Sequence, residues 1–227
     1  DTGGFVRCTA GQECPASGSF FVAAPVSRKG AGGTFVLAAF HSAAGGRTAT
    51  AAEVWGRDVP YLLSVGVPGE EDSPDTYWRA PVSAEELGAA LTAAGKDVGR
   101  VREVRVARRT ASGRSAELRV QGSDGDVKVS GETLRRLLGP TRLRSTLFEV
   151  RRTEEGFVFV GSGNGHGVGM SQWGARALAR RGSNHQQILA RFYPGARVER
   201  ISSRTVSVAG AVSALAVHAT AGAGASR

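Results

Sequence analysis

GSGNGHGVGMSQWGA, residues 161–175, sets glycine at every other position from Gly161 to Gly169 and then takes on a helical pattern. The run FVFV before it, residues 157–160, reads as a strand. After it, Met170, Trp173, Ala177 and Leu178 share one face of a helix over 170–180 that Gly182 ends. A strand, a bare loop and a helix in that order raise the question of anion binding, because exposed amides and a helix N-terminus attract anions. The spacing speaks against a nucleotide. A dinucleotide fingerprint needs its third glycine five residues after the first, and from Gly161, Gly163 or Gly165 that place holds His166, Val168 or Met170. No Gly-Lys-Ser/Thr is present either, which excludes a Walker loop. His41, His166, His185 and His218 lie far apart with no ligand spacing, so neither a metal nor any other cofactor is expected. His166 and Ser171 could be imagined as members of a triad, which only geometry defines.

Glycine also lets backbone lie close to a bulky ligand and visit positive φ. A saccharide, with oxygens along its edges and apolar ring faces, suits such a surface. Trp55, Tyr61, Tyr77, Trp78, Trp173 and Tyr193 could supply stacking faces, with core packing as the competing reading.

Outward from the loop, Asn184 and its neighbours cap a second helix carrying Ile188, Leu189 and Phe192, which Pro194-Gly195 stops. Upstream, apolar and charged residues alternate over 101–106, 116–120 and 127–129, with turn chemistry between, which predicts an antiparallel meander. Residues 130–138 predict a short helix, and 146–151 a strand paired with 157–160. Ser83-Ala84-Glu85-Glu86 is a capping-box signature opening a helix that Gly95 ends. Residues 34–40, TFVLAAF, read as a buried strand that stops at His41-Ser42. Residues 53–82 read as a long ordered surface loop, with Glu70, Glu71, Asp72 and Asp75 as solvated charges. The fold class is α+β: an antiparallel-strand-rich core with several short helices. One domain over 1–208 is followed by an alanine- and glycine-rich tail, 209–227.

The chain has 227 residues and a formal net charge of +9, almost all of its positive charge arginine. That balance suits a polyanion: nucleic acid, anionic lipid or an acidic cell-wall polymer. Cys8 and Cys14 are the only cysteines, and their spacing fits a short-loop disulfide in an oxidising compartment better than zinc. No apolar run is long enough to span a membrane, and Asp1-Thr2-Gly3-Gly4 does not open a leader peptide.

FHSAAGGRT (40–48), EVWGRDVPYL (53–62), LRSTLFEV (143–150), GNGHGVGMSQWGARALARRG (163–182) and ILARFYPG (188–195) resemble, in order and spacing, the SpoIID/LytB family of bacterial cell-wall proteins. The resemblance spans most of residues 35–200. It implies an extracellular or cell-wall protein acting on peptidoglycan glycan strands. One form of that activity is lytic transglycosylation, the non-hydrolytic cleavage of the MurNAc-GlcNAc bond that leaves 1,6-anhydro-MurNAc ends. The other is non-catalytic wall binding that enhances an amidase. It implies no nucleic-acid partner, while anion binding through the arginines stays open as a third reading.

By position, the resemblance maps a substrate cleft lined by glycine-rich loops onto His41, Ser42, Gly45, Gly46 and Thr48. It adds Gly163, Gly165, His166, Gly167, Gly169, Ser171, Gln172 and Trp173. In that picture the histidines donate to sugar oxygens, and the loop and helix-start amides hold an acetamide or carboxylate. The family's catalytic glutamate sits in a helical motif upstream of the strand before HSAAGG. Nothing like that motif occurs in residues 1–40, so the catalytic residue is unknown and is expected upstream of this piece.

Overall fold

Alternating side chains build the middle of the chain, and the computed structural model describes residues 20–24 and 34–200. Cys8, Cys14 and the segment 209–227 lie outside those residues. In chain order the elements are β1 (Phe20–Ala24), β2 (Thr34–Phe35), β3 (Phe40–His41), α1 (Ala51–Trp55), β4 (Trp78–Ser83) and α2 (Ala84–Ala93). Then come β5 (Glu103–Arg109), β6 (Ser115–Gln121), β7 (Asp126–Val129), α3 (Gly131–Leu138), β8 (Phe148–Thr153) and β9 (Gly156–Gly161). The last four are β10 (Met170–Ser171), α4 (Gln172–Arg180), α5 (His185–Phe192) and β11 (Arg197–Arg200), the short β10 being the element that separates the glycine loop from α4.

The fold is α+β. Strands β5, β6 and β7 form the antiparallel meander, and β4, β9 and β8 a second antiparallel sheet. The pair β3 and β10 is parallel, and β1 lies between β11 and β2. In the meander the inward residues Val104, Leu118, Val120 and Val129 are buried, while charged residues such as Arg105 and Lys128 face water. The helices start where short polar side chains cap them. Ser83 Oγ accepts from the Glu86 amide, Ser130 Oγ from Thr133, and Asn184 closes a full capping box with Gln187.

Two apolar clusters result. One joins the β4-β9-β8 sheet to the meander, α2 and α3, with Phe159 at its centre, and Phe148 meets Phe159 edge to face at 5.3 Å. The other gathers Ala44, Ala49, Leu62, Val67, Val168 and Phe192 under α4 and α5.

Two expectations need correcting. Residues 34–40 do not form one strand. Residues 34 and 35 pair with β1, residues 40 and 41 pair with β10, and the stretch between is irregular. A segment serving two sheets cannot keep one direction. Residues 53–82 are not a surface loop throughout either. They begin in α1, end in β4, and bury Leu62, Val67, Glu70 and Asp75 on the way.

Replacing Phe159 by alanine is expected to cost about 3–5 kcal/mol of unfolding free energy. Arg151→Ala on the exposed edge is expected to change it by less than about 0.5 kcal/mol. Urea unfolding of the two variants checks this.

Candidate functional site

More than a hundred residues separate HSAAGGRT from the glycine loop, yet the two lie side by side. Strands β3 and β10 pair Phe40 with Met170 and His41 with Ser171. Bridges continue the seam from Ala43 to Asn164 and from Ala49 to Val168. Ala49 N donates to Gly167 O at 2.7 Å, and Trp173 N to Ser42 O at 3.0 Å.

The alternating glycines make this approach possible. Gly163, Gly165, Gly167 and Gly169 all have positive φ, between 73° and 108°, where a Cβ is disfavoured. A Cβ on Gly163 would stand 2.8 Å from Ala43 O, and one on Gly165 2.7 Å from His41 Cβ. On Gly167 it would fall into the Arg114 guanidinium, and on Gly169 into the Ala39 carbonyl. The bare positions therefore admit the chain's own backbone and side chains. The amides of Gly163, Asn164, Gly165 and Met170 donate to Asp75, Ala43, Arg144 and Ala39 carbonyls, and those of Trp173 and Gly174 at the start of α4 are also used. These amides, of the set expected to face a ligand, are engaged within the protein.

Buried charge locks the seam. Glu70, expected in solvent, is 5% exposed. Its carboxylate accepts from Ala44 N at 2.8 Å, from Gly46 N at 2.9 Å and from the Ser171 hydroxyl. Ser171 Oγ in turn accepts from Gly174 N and caps α4. Asp75 is buried as well, taking bonds from Arg144, Ser42 Oγ and Asn164 Nδ2. Glu71 and Asp72 are exposed, as expected. Nothing in GEEDSPD distinguishes the buried acids from the exposed ones, because the difference is which loop each meets. Arg114 was also invisible in its turn, TASGRS. It is 2% exposed, and its Nη2 donates to Ala44 O at 3.1 Å and Arg47 O at 3.3 Å. Burial pushes it down to about 10, against the pull of Glu53 and Glu70. Glu53 positions it by holding Ser112 through the amide and hydroxyl.

Three rings run from the interior to the surface. His41 is 4% exposed and lies 5.6 Å from His166, which lies 5.5 Å from Trp55, itself 37% exposed. His41 Nδ1 faces Val168 O at 3.2 Å, and its Nε2 has no partner. His166 Nδ1 accepts from Val168 N at 3.0 Å, and the ring also bonds the Phe40 backbone. Burial, then the neighbouring His166 and Arg114, push His41 down to about 3. Burial first, with Arg114 and Arg135 adding to it, pushes His166 down to about 4. Both imidazoles are neutral near pH 7.

The remaining site candidates divide by exposure. Thr48 is buried and pins Leu63 and Val65 through its hydroxyl. Gly163, Gly167, Gly169 and Ser171 are also buried. Ser42, Gly45, Gly165, His166 and Trp173 are half-buried, and Gly46 and Gln172 are exposed. Trp173 stacks beneath Arg176, 4.6 Å from its ring centre. Tyr193 and Trp78 are core residues. Among the described residues no cluster of three or more histidine, cysteine, aspartate or glutamate side chains could hold a metal. Among them, too, no helix is long and apolar enough to cross a membrane.

Residues 53–169 match the family model of a domain of unknown function, DUF8618. A stage II sporulation protein D of Bacillus amyloliquefaciens is 33% identical over 173 residues, 74% of this chain and 46% of that protein. The amidase enhancer of Bacillus subtilis strain 168 is 27% identical over 211 residues, 72% of this chain and 30% of that protein. An uncharacterized protein of Brachyspira hyodysenteriae is 29% identical over 161 residues, 70% of this chain and 42% of that protein. The chain thus spans less than half the length of the curated relatives it matches.

Glu70→Ala leaves two amides and a hydroxyl without their acceptor and is expected to cost about 3 kcal/mol or more. Glu71→Ala is expected to stay within about 0.5 kcal/mol. Chemical denaturation of the pair separates the two. The histidines add a pH dependence. Their folded-state values lie below the ordinary imidazole value of about 6.5, so the unfolded chain binds more protons as pH falls, and stability is lost from about pH 6.5 toward 4. The melting temperature is expected to drop between pH 7.5 and 5, and to drop less in His166→Asn, whose amide oxygen can still accept from Val168.

Proposed function

The chain belongs to the SpoIID/LytB family, and on that premise we propose that it acts on the glycan strands of bacterial peptidoglycan at an extracellular or wall-facing location. One observation supports the position of the glycan. The seam between the two motif loops leaves only Asn164, Gly165 and His166 of the stretch 163–169 at the surface alongside buried neighbours, edged by the ring of Trp55. Ser42 and Gln172 border the same strip. Contact with sugar would come chiefly from side chains and ring faces, since the amides of Asn164 and Gly165 serve the fold.

For the activity, the first reading is lytic transglycosylation. A carboxylic acid protonates the glycosidic oxygen as its bond to C1 breaks. The muramic 6-hydroxyl then closes on C1 and returns its proton to the carboxylate, so that no water is consumed. Among the described residues the acids nearest the strip are already engaged: Glu70 and Asp75 each accept three bonds, and Glu53 holds Ser112. The reaction would therefore draw its acid from outside those residues. The same observation favours the second reading, a glycan-binding partner that stimulates an amidase, which needs no acid of its own.

Peptide-free glycan strands incubated with this chain, and with the chain carrying further upstream sequence, separate the readings. Anhydro-muramic ends detected by mass spectrometry in the extended form alone are expected for the transglycosylase. For the enhancer, neither form yields such ends, and amidase release from whole wall rises when the chain is added. No co-sedimentation with glycan, no anhydro ends and no effect on the amidase would overturn both.

A further inference from the structure

Among the described residues only Leu37, Trp55, Leu63 and Tyr77 are large apolar side chains standing exposed, and two of them, Trp55 and Tyr77, carry flat rings. Trp55 closes the short helix α1, where Gly56 at φ 70° ends the turn, and its ring rests on His166. His166 Nδ1 is taken up by the Val168 amide, and the face of the imidazole supports the indole. Tyr77 is 82% exposed and follows the buried Asp75 by two residues. Its neighbour Trp78 is buried and donates from Nε1 to Gly163 O at 2.9 Å, and Asp75, two residues earlier, holds both the Gly163 amide and the Asn164 side chain. Trp55 is thereby tied through its ring to His166, and the chain on either side of Tyr77 to Gly163 and Asn164, within a stretch over which extended backbone reaches at most about 11 Å.

Asn164 and Ser42 are uncharged, half-buried polar side chains of the same seam, each held through one bond to Asp75. Flat apolar faces separated by a carboxamide and a hydroxyl match the alternation of ring faces and equatorial oxygens along a pyranose chain. A protein partner would favour a contiguous apolar centre with a polar rim, the reverse of this arrangement. His166 supports the Trp55 ring, and the buried Asp75 and Trp78 hold the backbone at Tyr77, which lowers the entropy lost on association.

We propose that Trp55 and Tyr77 are the two stacking platforms of one extended saccharide site, with Asn164 and Ser42 between them, so that the chain reads an oligosaccharide over more than one sugar ring. This rests on the glycan reading above and specifies how the same surface grips its substrate.

The test uses chitotetraose, chitobiose and peptide-free peptidoglycan strands as probes, with affinities from calorimetry. Trp55→Ala and Tyr77→Ala are each expected to weaken chitotetraose and glycan-strand binding by about tenfold, from the loss of one aromatic stack. Trp55→Phe, which keeps a flat ring, should lose less than Trp55→Leu. Chitobiose, too short to reach both rings, should be weakened by one of the two alanine variants and not the other. Tyr77→Ala should leave the melting temperature at the parent value, and circular dichroism should show Trp55→Ala, which removes a ring packed on His166, still folded at the assay temperature. If the parent binds glycan and both alanine variants bind it equally well, the two-platform inference is overturned while the glycan reading stands. If the parent binds none of the probes, the glycan reading is overturned and this inference with it.

Discussion

Two loops can lie backbone against backbone only where no side chain separates them, and this molecule is organised around that constraint. The missing Cβ atoms at Gly163 and Gly169 let the Ala43 and Ala39 carbonyls come close, and the hydrogen bonds of the seam follow from that contact. The positive φ values are the geometric condition for it. Everything at the surface of the site, from His166 to Asn164, is held in place by this internal contact.

Carboxylates and a guanidinium complete what the glycines begin. A buried carboxylate is tolerated when donors surround it, and Glu70 joins the 44–46 turn to the cap of α4 in one group. Arg114 reaches from the meander to the same turn, so that the second apolar cluster is tied to the first. Two of its nitrogens, with Nε2 of His41, are the buried side-chain polar atoms left unpartnered among the described residues, and all belong to this seam. Such groups weaken a fold and concentrate where function, more than stability, shapes the packing.

The histidines illustrate how the surroundings choose a role. An imidazole that is largely buried, with cationic neighbours adding to the effect, stays neutral, and its Nδ1 is free to accept the Val168 amide proton. His166 is then a spacer between a buried ring and an exposed one, and recognition shifts from hydrogen bonds at the imidazole to the face of Trp55.

Local pattern was enough for the meander, for the strand pair leading into the glycine loop, and for the capped helices. In each, periodicity and capping chemistry act over a few residues, as with Val104 and Arg105 or Asn184 and Gln187. The motifs also marked His41 and His166 as belonging together. Sequence alone could not separate Glu70 from Glu71, reveal that Arg114 in an ordinary turn would be buried, or show that the glycines face inward. Those outcomes depend on which distant segment arrives beside each residue. The penalty for burying a charge and the space allowed for a Cβ are properties of the assembled neighbourhood, and only the tertiary structure decides them.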